Sequence, residues 1–204
     1  MKLLLTSYGM HTPKIRENLK NLYEKPAENI KILIISTEAK NEEYQKYFEL
    51  EKEQLAETGV KPENVPIYDL ADINPPNLKE YDVVFFYGGN PYKYMKLIRE
   101  RGLLNPLRDY VYGGGIYVGL SAGSILACPD IISGFNTLES NVGVGLTDFS
   151  GFGFVDFYVI VHWQIRGRSD QERILAYSKS SGKQIIPITD DEAVLVVDGR
   201  FQIV

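Results

Sequence analysis

The sequence predicts an α/β fold in which helices cover both faces of a mainly parallel β-sheet. Apolar segments of strand length alternate with amphipathic, charged segments along most of the 204 residues, an order typical of such sheets. Most of the strand-like segments have a continuous apolar centre, as expected for parallel strands buried on both faces. The pair Asp198-Gly199 is a strong hairpin signal and adds an antiparallel element. The length predicts one domain, residues 1–204.

The first half of the chain alternates strands and helices. Two helices are predicted to end at Gly59 and Gly102, because glycine readily adopts the left-handed conformation that closes a helix. Another is predicted to begin at Asn90, an N-cap residue followed by Pro91 at the first helical position. Strands are predicted over residues 2–7, 31–36, 65–69 and 83–87, and helices over 15–23, 41–58, 91–101 and 106–112.

The second half of the chain is less regular. A predicted strand over 116–119 turns sharply at Ser121 into a helix that begins near Ala122. Residues 128–157 are rich in glycine and aromatic residues and show no clear period, so no regular element is predicted there. Further strands are predicted over 158–161, 184–188, 193–197 and 201–204, with a helix over 170–177.

Composition excludes several classes of function. The chain has 27 acidic and 22 basic residues and an isoelectric point near 5.2, which disfavours binding to nucleic acid or anionic membranes. The single cysteine, Cys128, excludes an internal disulfide and a cysteine-rich zinc site. The amino terminus lacks the long apolar core of a secretion signal, and the apolar segments are too short to span a bilayer. A cytoplasmic protein is therefore expected.

A G-x-S-x-G pattern lies between a predicted strand and a predicted helix, as in a nucleophile elbow. Small neighbours let the backbones pass closely in such a turn, and the strained turn lifts the serine hydroxyl out of the sheet. The alternative is a tight turn with an incidental serine, but the position between strand and helix favours a nucleophile. The motif comprises Gly119, Leu120, Ser121, Ala122 and Gly123.

A serine nucleophile needs an adjacent base, and the chain has two histidines. His162 follows a predicted strand, so it is expected at a carboxyl edge within reach of Ser121. The alternative for His162 is a structural residue packed beside Trp163. His11 follows the first strand and is interpreted as a loop residue or a substrate contact.

Several carboxylates are candidates for the acid that would orient the histidine. Asp190 is the first choice because it closes a predicted strand, and Asp191 and Glu192 follow it directly. The chain order of α/β-hydrolases would instead require an acid between serine and histidine. The upstream candidates are Asp130, Glu139, Asp148 and Asp156.

Backbone N–H groups could bind the oxyanion that forms during acyl transfer. The N–H of Ala122 directly follows the candidate nucleophile. The pair Gly88-Gly89 could bring a second N–H close, since no side chain blocks the approach. The alternative for this pair is a tight strand-to-helix turn.

The sequence, with these motifs in this order, resembles the S51 serine peptidases, the family of peptidase E and cyanophycinase. The resemblance begins at residues 1–7, is densest over 87–129, and resumes at 161–163, 170–174 and 189–197. The densest part contains Gly88-Gly89-Asn90, the segment 99–104, the segment 119–124 and Ala127-Cys128-Pro129, in the order of the family.

The resemblance implies a three-layer α/β/α sandwich similar to class I glutamine amidotransferases, a flavodoxin-like arrangement, with serine in place of the elbow cysteine. It places the nucleophile at Ser121, the base at His162 and the oxyanion donors at Gly89 and Ala122. One acid position of the family falls near Asn136, which is no carboxylate. The other matches Asp190.

Candidate substrate contacts are Asn90, His11 and Arg168. The chain departs from peptidase E in having Val161 before the histidine. It also reads Gly167-Arg168-Ser169-Asp170 where that family member has Gly-Glu-Thr-Arg. If a basic residue there recognises an acidic side chain, Asp170 would oppose it, and Arg166 or Arg168 would have to substitute.

The sequence therefore predicts a serine hydrolase of short peptides, a dipeptidase with a possible preference for an acidic N-terminal residue. It would need no cofactor or metal, bind only its small peptide substrate, and be a monomer or homodimer. One alternative is an esterase or another acyl hydrolase that uses the same site. The other is a catalytically silent member that binds a small ligand and acts in regulation.

Overall fold

A computed structural model describes residues 1–132 and 138–204, without the side chains of Leu138 and Glu139. The strands are β1 (Lys2–Thr6), β2 (Ile32–Ser36), β3 (Ile67–Asp69), β4 (Val83–Phe86), β5 (Ile116–Leu120), β6 (Tyr158–Ile160), β7 (Ile185–Pro187), β8 (Ala193–Val197) and β9 (Arg200–Ile203). The helices are α1 (Pro13–Lys20), α2 (Glu42–Ala56), α3 (Pro91–Glu100), α4 (Leu104–Tyr112), α5 (Ala122–Leu126) and α6 (Arg168–Ser181).

Seven strands form the central sheet, in the order β3-β2-β4-β5-β1-β8-β9. The five strands from β3 to β1 are parallel, and β8 pairs antiparallel with β1 and with β9. The β8–β9 hairpin turns at Asp198 and Gly199, both of which have positive φ. Parallel strands direct their carboxyl ends to one edge, so the loops after β1, β4 and β5 meet there.

Helices cover both faces of this sheet because side chains of successive strand residues point to opposite sides. Leu3 and Leu5 of β1 belong to one buried cluster, with residues of α3, α4 and α5, whereas Leu4 belongs to a second cluster with residues of α1 and α2. The residues of β2, β4 and β5 are buried on both faces. The predicted α/β fold with a mainly parallel sheet is confirmed.

The strands β6 and β7 are not part of the main sheet. They pair in parallel with each other as a separate two-stranded sheet, so the carboxyl edge that His162 follows is that of this small sheet. Both strands pack into the cluster on the α5 side, where the N–H of Val159 donates to the Sγ of Cys128 at 3.4 Å. A strand of three apolar residues is predicted to be buried, but its sequence does not determine which other strand it pairs with.

No helix in the described part of the chain is long and apolar enough to cross a membrane.

Candidate active site

The candidate site lies where three neighbouring parallel strands end. In the register of the sheet, Thr6 of β1 is opposite Leu120 of β5, and Phe86 of β4 is opposite Gly119. The residues that follow these strands therefore lie side by side at the carboxyl edge. They are Ser7 after β1, Ser121 after β5, and the segment after β4 that leads to Gly88.

Ser121 occupies a strained turn, with φ 50° and ψ −107°. Its N–H donates to the carbonyl oxygen of Thr6 at 3.0 Å, which ties the turn to β1. A Cβ at Gly119 would lie 2.6 Å from the carbonyl carbon of Gly123, and a Cβ at Gly123 would overlap the carbonyl oxygen of Phe86. The two glycines of the motif are therefore required for the close approach of β5, α5 and β4.

Ser121, His162 and Asp190 form a continuous hydrogen-bonded chain. The Oγ of Ser121 is 3.0 Å from the Nε2 of His162, and the Nδ1 of His162 is 2.7 Å from the Oδ1 of Asp190. A carboxylate only accepts, so Nδ1 carries the proton and Nε2 is left to accept from the serine hydroxyl. His162 has a left-handed backbone, with φ 57° and ψ 39°, which turns the chain sharply after β6.

Ser7 is a buried fourth member of this cluster, and the sequence analysis missed it. Its Oγ accepts from the backbone N–H of His162 at 2.8 Å and donates to the Oδ1 of Asp190 at 2.6 Å. It also lies 3.2 Å from Nδ1 of His162. Ser7 directly follows β1 at the same carboxyl edge as Ser121, and this position is the signal that could have found it.

The hydrogen bonds also determine the charge of Asp190. Partial burial by itself would raise the pKa of this carboxyl, but hydrogen bonds from Ser7 and His162 hold the pKa below its ordinary value. Asp190 is therefore ionised at neutral pH and places a negative charge beside the ring of His162.

The other candidate acids have different partners. The Oδ1 of Asp191 is 3.6 Å from the Nε2 of His11, and Glu192 accepts from the N–H and hydroxyl of Thr189. Asp130 accepts from the hydroxyl of Tyr158. Asp148 pairs with Arg99, and Asp156 is exposed. Asn136 and the side chain of Glu139 lie outside the described residues.

The glycine turn after β4 lies beside the candidate nucleophile. A Cβ at Gly88 would be 3.8 Å from the Cβ of Ser121. Gly89 has φ 150°, and a Cβ there would be 3.2 Å from Cε2 of Tyr94. Ala122 is the first residue of α5, so its N–H has no acceptor within the helix. Gly88 therefore lies beside Ser121, with Gly89 next in the chain, and Ala122 directly follows Ser121.

The three predicted substrate contacts lie outside the hydrogen-bonded cluster of Ser121. The side chain of Asn90 caps α3 by accepting from Tyr92 and Lys93, and its Nδ2 donates to the carbonyl oxygen of Ser140 at 2.7 Å. His11 makes an edge contact with the ring of Tyr8 in addition to its contact with Asp191.

Arg168, the third of these predicted contacts, is exposed at the start of α6 and bonds to Glu172. Arg166 donates to Asp170 and to the carbonyl oxygen of Val161, each at 3.2 Å. No group of three or more potential metal ligands occurs within residues 1–132 and 138–204.

A buried glutamate of α2 supports the loop after β1. The Oε1 of Glu51 accepts from the N–H of Met10 at 3.0 Å, and a Cβ at Gly9 would overlap its carboxylate. Burial raises the pKa of Glu51 to about 8, against smaller opposing contributions from the hydrogen bond of Met10 and the charge of Arg16. A single glutamate in a charged helix carries no sequence signal for this burial.

The substitution Glu51→Gln is expected to make the protein more stable at alkaline pH. The folded protein holds a proton on Glu51 that the unfolded chain has lost, so the free energy of unfolding falls as pH rises from about 4.5 to about 8. The full difference is roughly 5 kcal/mol. The glutamine retains the acceptor for Met10, so urea unfolding should show nearly equal stabilities at pH 5 and a more stable variant at pH 9.

The matched control is Glu49→Gln on the same helix, where the side chain is 65% exposed. The free energy of unfolding of Glu49→Gln should fall with pH by the same amount as that of the wild type. Parallel curves for the wild type and Glu51→Gln would contradict the prediction.

Comparison with known proteins identifies the family. The sequence profile of peptidase family S51 matches residues 3–204. An uncharacterized peptidase of Listeria monocytogenes is 25% identical over 196 residues, which cover 95% of this chain and 92% of that protein. Peptidase E of Salmonella gallinarum is 36% identical over 81 residues, which cover 40% of this chain and 32% of that protein. The chain thus matches only about a third of the length of that Peptidase E.

Two crystal structures share the fold. A candidate peptidase E protein from Listeria monocytogenes EGD-e has a TM-score of 0.78 at 20% identity, with 99% of this chain and 96% of that chain covered. A peptidase from an acI-B1 Actinobacterium has a TM-score of 0.70 at 21% identity, with 100% and 86% covered. The profile match extends over nearly the whole chain, and the chain therefore belongs to peptidase family S51, a family of peptide-bond hydrolases.

Proposed function

We propose that this protein is a serine-type peptidase that hydrolyses short peptides, with dipeptides as the principal substrates. The observation that carries the proposal is the hydrogen-bonded chain from Ser121 through His162 to Asp190, built on a strained turn at the carboxyl edge of the sheet. The names of the relatives support the substrate class, since they include peptidases and Peptidase E.

The arrangement supports a two-stage acyl transfer. The Oγ of Ser121 attacks the scissile carbonyl carbon while Nε2 of His162 takes its proton. The C–O bond forms, and the carbonyl electrons move to the oxygen, which the N–H groups of Gly89 and Ala122 stabilise. The tetrahedral intermediate then collapses, the C–N bond breaks, and His162 gives its proton to the leaving amine.

Water completes the cycle by the same steps. His162 removes a proton from water, the resulting hydroxide attacks the acyl-serine, and the proton returns to the Oγ of Ser121. The ionised Asp190 stabilises the imidazolium that forms in each stage, because its charge lies 2.7 Å from Nδ1.

A preference for an acidic N-terminal residue is outside this proposal. Such a preference needs a cation that is free to bind the substrate carboxylate. Arg166 bonds to Asp170 and to Val161, and Arg168 bonds to Glu172. Arg166 is thus held by the carboxylate of Asp170, and Arg168 lies on the exposed surface at the start of α6, outside the hydrogen-bonded cluster of Ser121.

The test combines hydrolysis with covalent labelling. A panel of dipeptides with Ala, Phe, Leu or Asp at each position is incubated with the pure protein, and free amino acids are quantified. A fluorophosphonate is added in parallel, and the labelled residue is located by mass spectrometry. We expect turnover of dipeptides and a label on Ser121, with the label competed by a good substrate.

The buried Ser124, which directly follows the motif, is the internal control for the label, since its hydroxyl lies within hydrogen-bond distance of the carbonyl oxygens of Thr6 and Gly119. A label elsewhere, or turnover of simple esters without turnover of any peptide, would overturn the proposed function.

A further inference from the structure

A cleft lined largely by tyrosines opens beside the candidate active site, between α2 and the ends of β1, β4 and β5. Its volume is about 360 Å³, and its walls contain four tyrosines, two leucines, Glu51 and Gln54. The strand ends contribute Tyr8, Tyr87 and Leu120, and α2 contributes Tyr47 and Leu50 among others. We call this feature the aromatic cleft.

Three residues of the aromatic cleft are sequence neighbours of the candidate site at the ends of β1, β4 and β5. Tyr8 directly follows Ser7, Tyr87 directly precedes Gly88, and Leu120 directly precedes Ser121. The side chain of Leu120 also lies close to both flanking loops. A Cβ at Gly9 would lie 2.8 Å from Cδ1 of Leu120, and a Cβ at Gly88 would lie 3.0 Å from Cδ2.

A second connection leads from the cleft to the acid. The ring of Tyr8 meets the edge of His11, with 5.3 Å between the ring centroids. His11 in turn contacts Asp191, the neighbour of Asp190. Tyr8 and His11 thus connect the cleft to the residue that follows Asp190.

The chemistry of the walls suits an uncharged side chain. Within the described part of the chain, no lysine or arginine lines the cleft. Burial raises the pKa of Glu51 to about 8, so this carboxyl is largely neutral at pH 7. An acidic side chain would find no cation among the wall residues and would lose hydration; the ammonium of Lys46 lies outside the walls, 4.9 Å from the centre of the Tyr47 ring.

The surface of the cleft is apolar, exposed and partly held in place. Tyr8, Tyr47 and Leu50 are each between 44% and 49% exposed, which is unusual for three neighbouring large apolar side chains. The side chain of Tyr87 is held in one position, because its hydroxyl donates to the carbonyl oxygen of Tyr47 and its ring packs on Phe48. Such a surface can bind an apolar group without first having to form.

We propose that the aromatic cleft binds an aromatic or large aliphatic side chain of the peptide substrate, on a residue next to the scissile bond. This inference rests on the proposed function, since it assigns a specificity to that same site. Filling an apolar subsite changes kcat/KM by roughly tenfold or more relative to a small side chain.

The experiment compares peptides that differ only in the size of one side chain. We expect kcat/KM for a dipeptide with Phe or Leu at one position to exceed that for the Ala analogue and for the Asp analogue by about tenfold or more. The substitution Leu50→Asp places a charge at the rim of the cleft. It should lower the ratio between the Phe and Ala peptides about fivefold or more, through KM for the Phe peptide.

The matched control is Leu175→Asp. Leu175 lies on α6 and is 45% exposed, against 46% for Leu50, so it receives the same charge at a similarly exposed helical position outside the cleft. The Phe-to-Ala ratio of this variant should equal that of the wild type. Equal ratios for Leu50→Asp and the wild type would overturn the inference while leaving the proposed function intact.

Two further measurements separate the possible failures. Binding of N-acetyl-phenylalanine amide is measured by calorimetry for the wild type and Leu50→Asp, so the cleft is tested even if no peptide is hydrolysed. Loss of binding in the variant supports the inference, and equal binding or no binding contradicts it. Sedimentation tests whether a second copy of this chain covers the cleft, and a dimer that Leu50→Asp dissociates without a change in selectivity would also overturn the inference.

Discussion

Replacing Ser121 by alanine is expected to lower kcat/KM for a hydrolysed dipeptide by about 10⁴-fold or more. The substitution removes the only atom that would form the acyl bond and leaves His162 without its partner at 3.0 Å. Alanine retains the Cβ, so the turn at φ 50° is under the same backbone constraint as before. The loss should therefore appear in kcat with little change in the free energy of unfolding. Dipeptide hydrolysis and urea unfolding of the same preparation measure the two effects.

Ser124→Ala provides the contrasting variant, three residues further along the chain. The hydroxyl of Ser124 is fully buried and shares its proton between the carbonyl oxygens of Thr6 and Gly119, at 2.7 and 2.8 Å. Its loss should cost about 1–3 kcal/mol of stability and leave the chemical step largely intact. Retention of more than a few per cent of wild-type activity by Ser121→Ala would contradict the assignment of the nucleophile.

The second large effect is expected for Asp190→Asn, which should lower kcat by about 10³- to 10⁴-fold. The side chain keeps its shape, and its remaining oxygen can still accept from Ser7. It loses the negative charge that stabilises the imidazolium and that keeps the proton on Nδ1. His162 would then favour the wrong tautomer for accepting the proton of Ser121 at Nε2. Steady-state kinetics on the best dipeptide measures the change.

Asp191→Asn is the matched control for this prediction. Asp191 is adjacent in sequence and 77% exposed, and it faces His11 across 3.6 Å. Exposed ion pairs contribute little, so this variant should lose far less activity than Asp190→Asn. A larger loss for Asp191→Asn than for Asp190→Asn would show that the acid has been assigned to the wrong residue.

Much of the candidate site could be predicted because its parts follow local rules. Ser121 was found from the spacing of two glycines at a strand-to-helix turn, and the structure supplies the steric reason for both glycines. His162 was found because the chain has few histidines, and Asp190 because it closes a strand. Their roles stay predictions until the variants are measured, but the side chains do lie together.

The contacts that were missed join distant parts of the chain. Ser7 and His162 are 155 positions apart, and a serine after a buried strand has no sequence feature that selects its partner. Glu51 belongs to a charged helix in which neighbouring glutamates are exposed, so only packing against the loop after β1 reveals its burial. The separate pairing of β6 with β7 is a further case, because apolar strands of three residues can satisfy their hydrogen bonds with more than one neighbour.

The sequence by itself determined the α/β class, the order of the elements, the elbow around Ser121 and the short group of candidate partners. These properties depend on periodicity, turn chemistry and residue type, which act over a few positions. The tertiary structure alone decided that Asp190 contacts His162, that Ser7 joins the two, and that four tyrosines line one cleft. Those outcomes depend on which strand ends and helix faces meet in space, and the free energy that selects them comes from packing of the whole core.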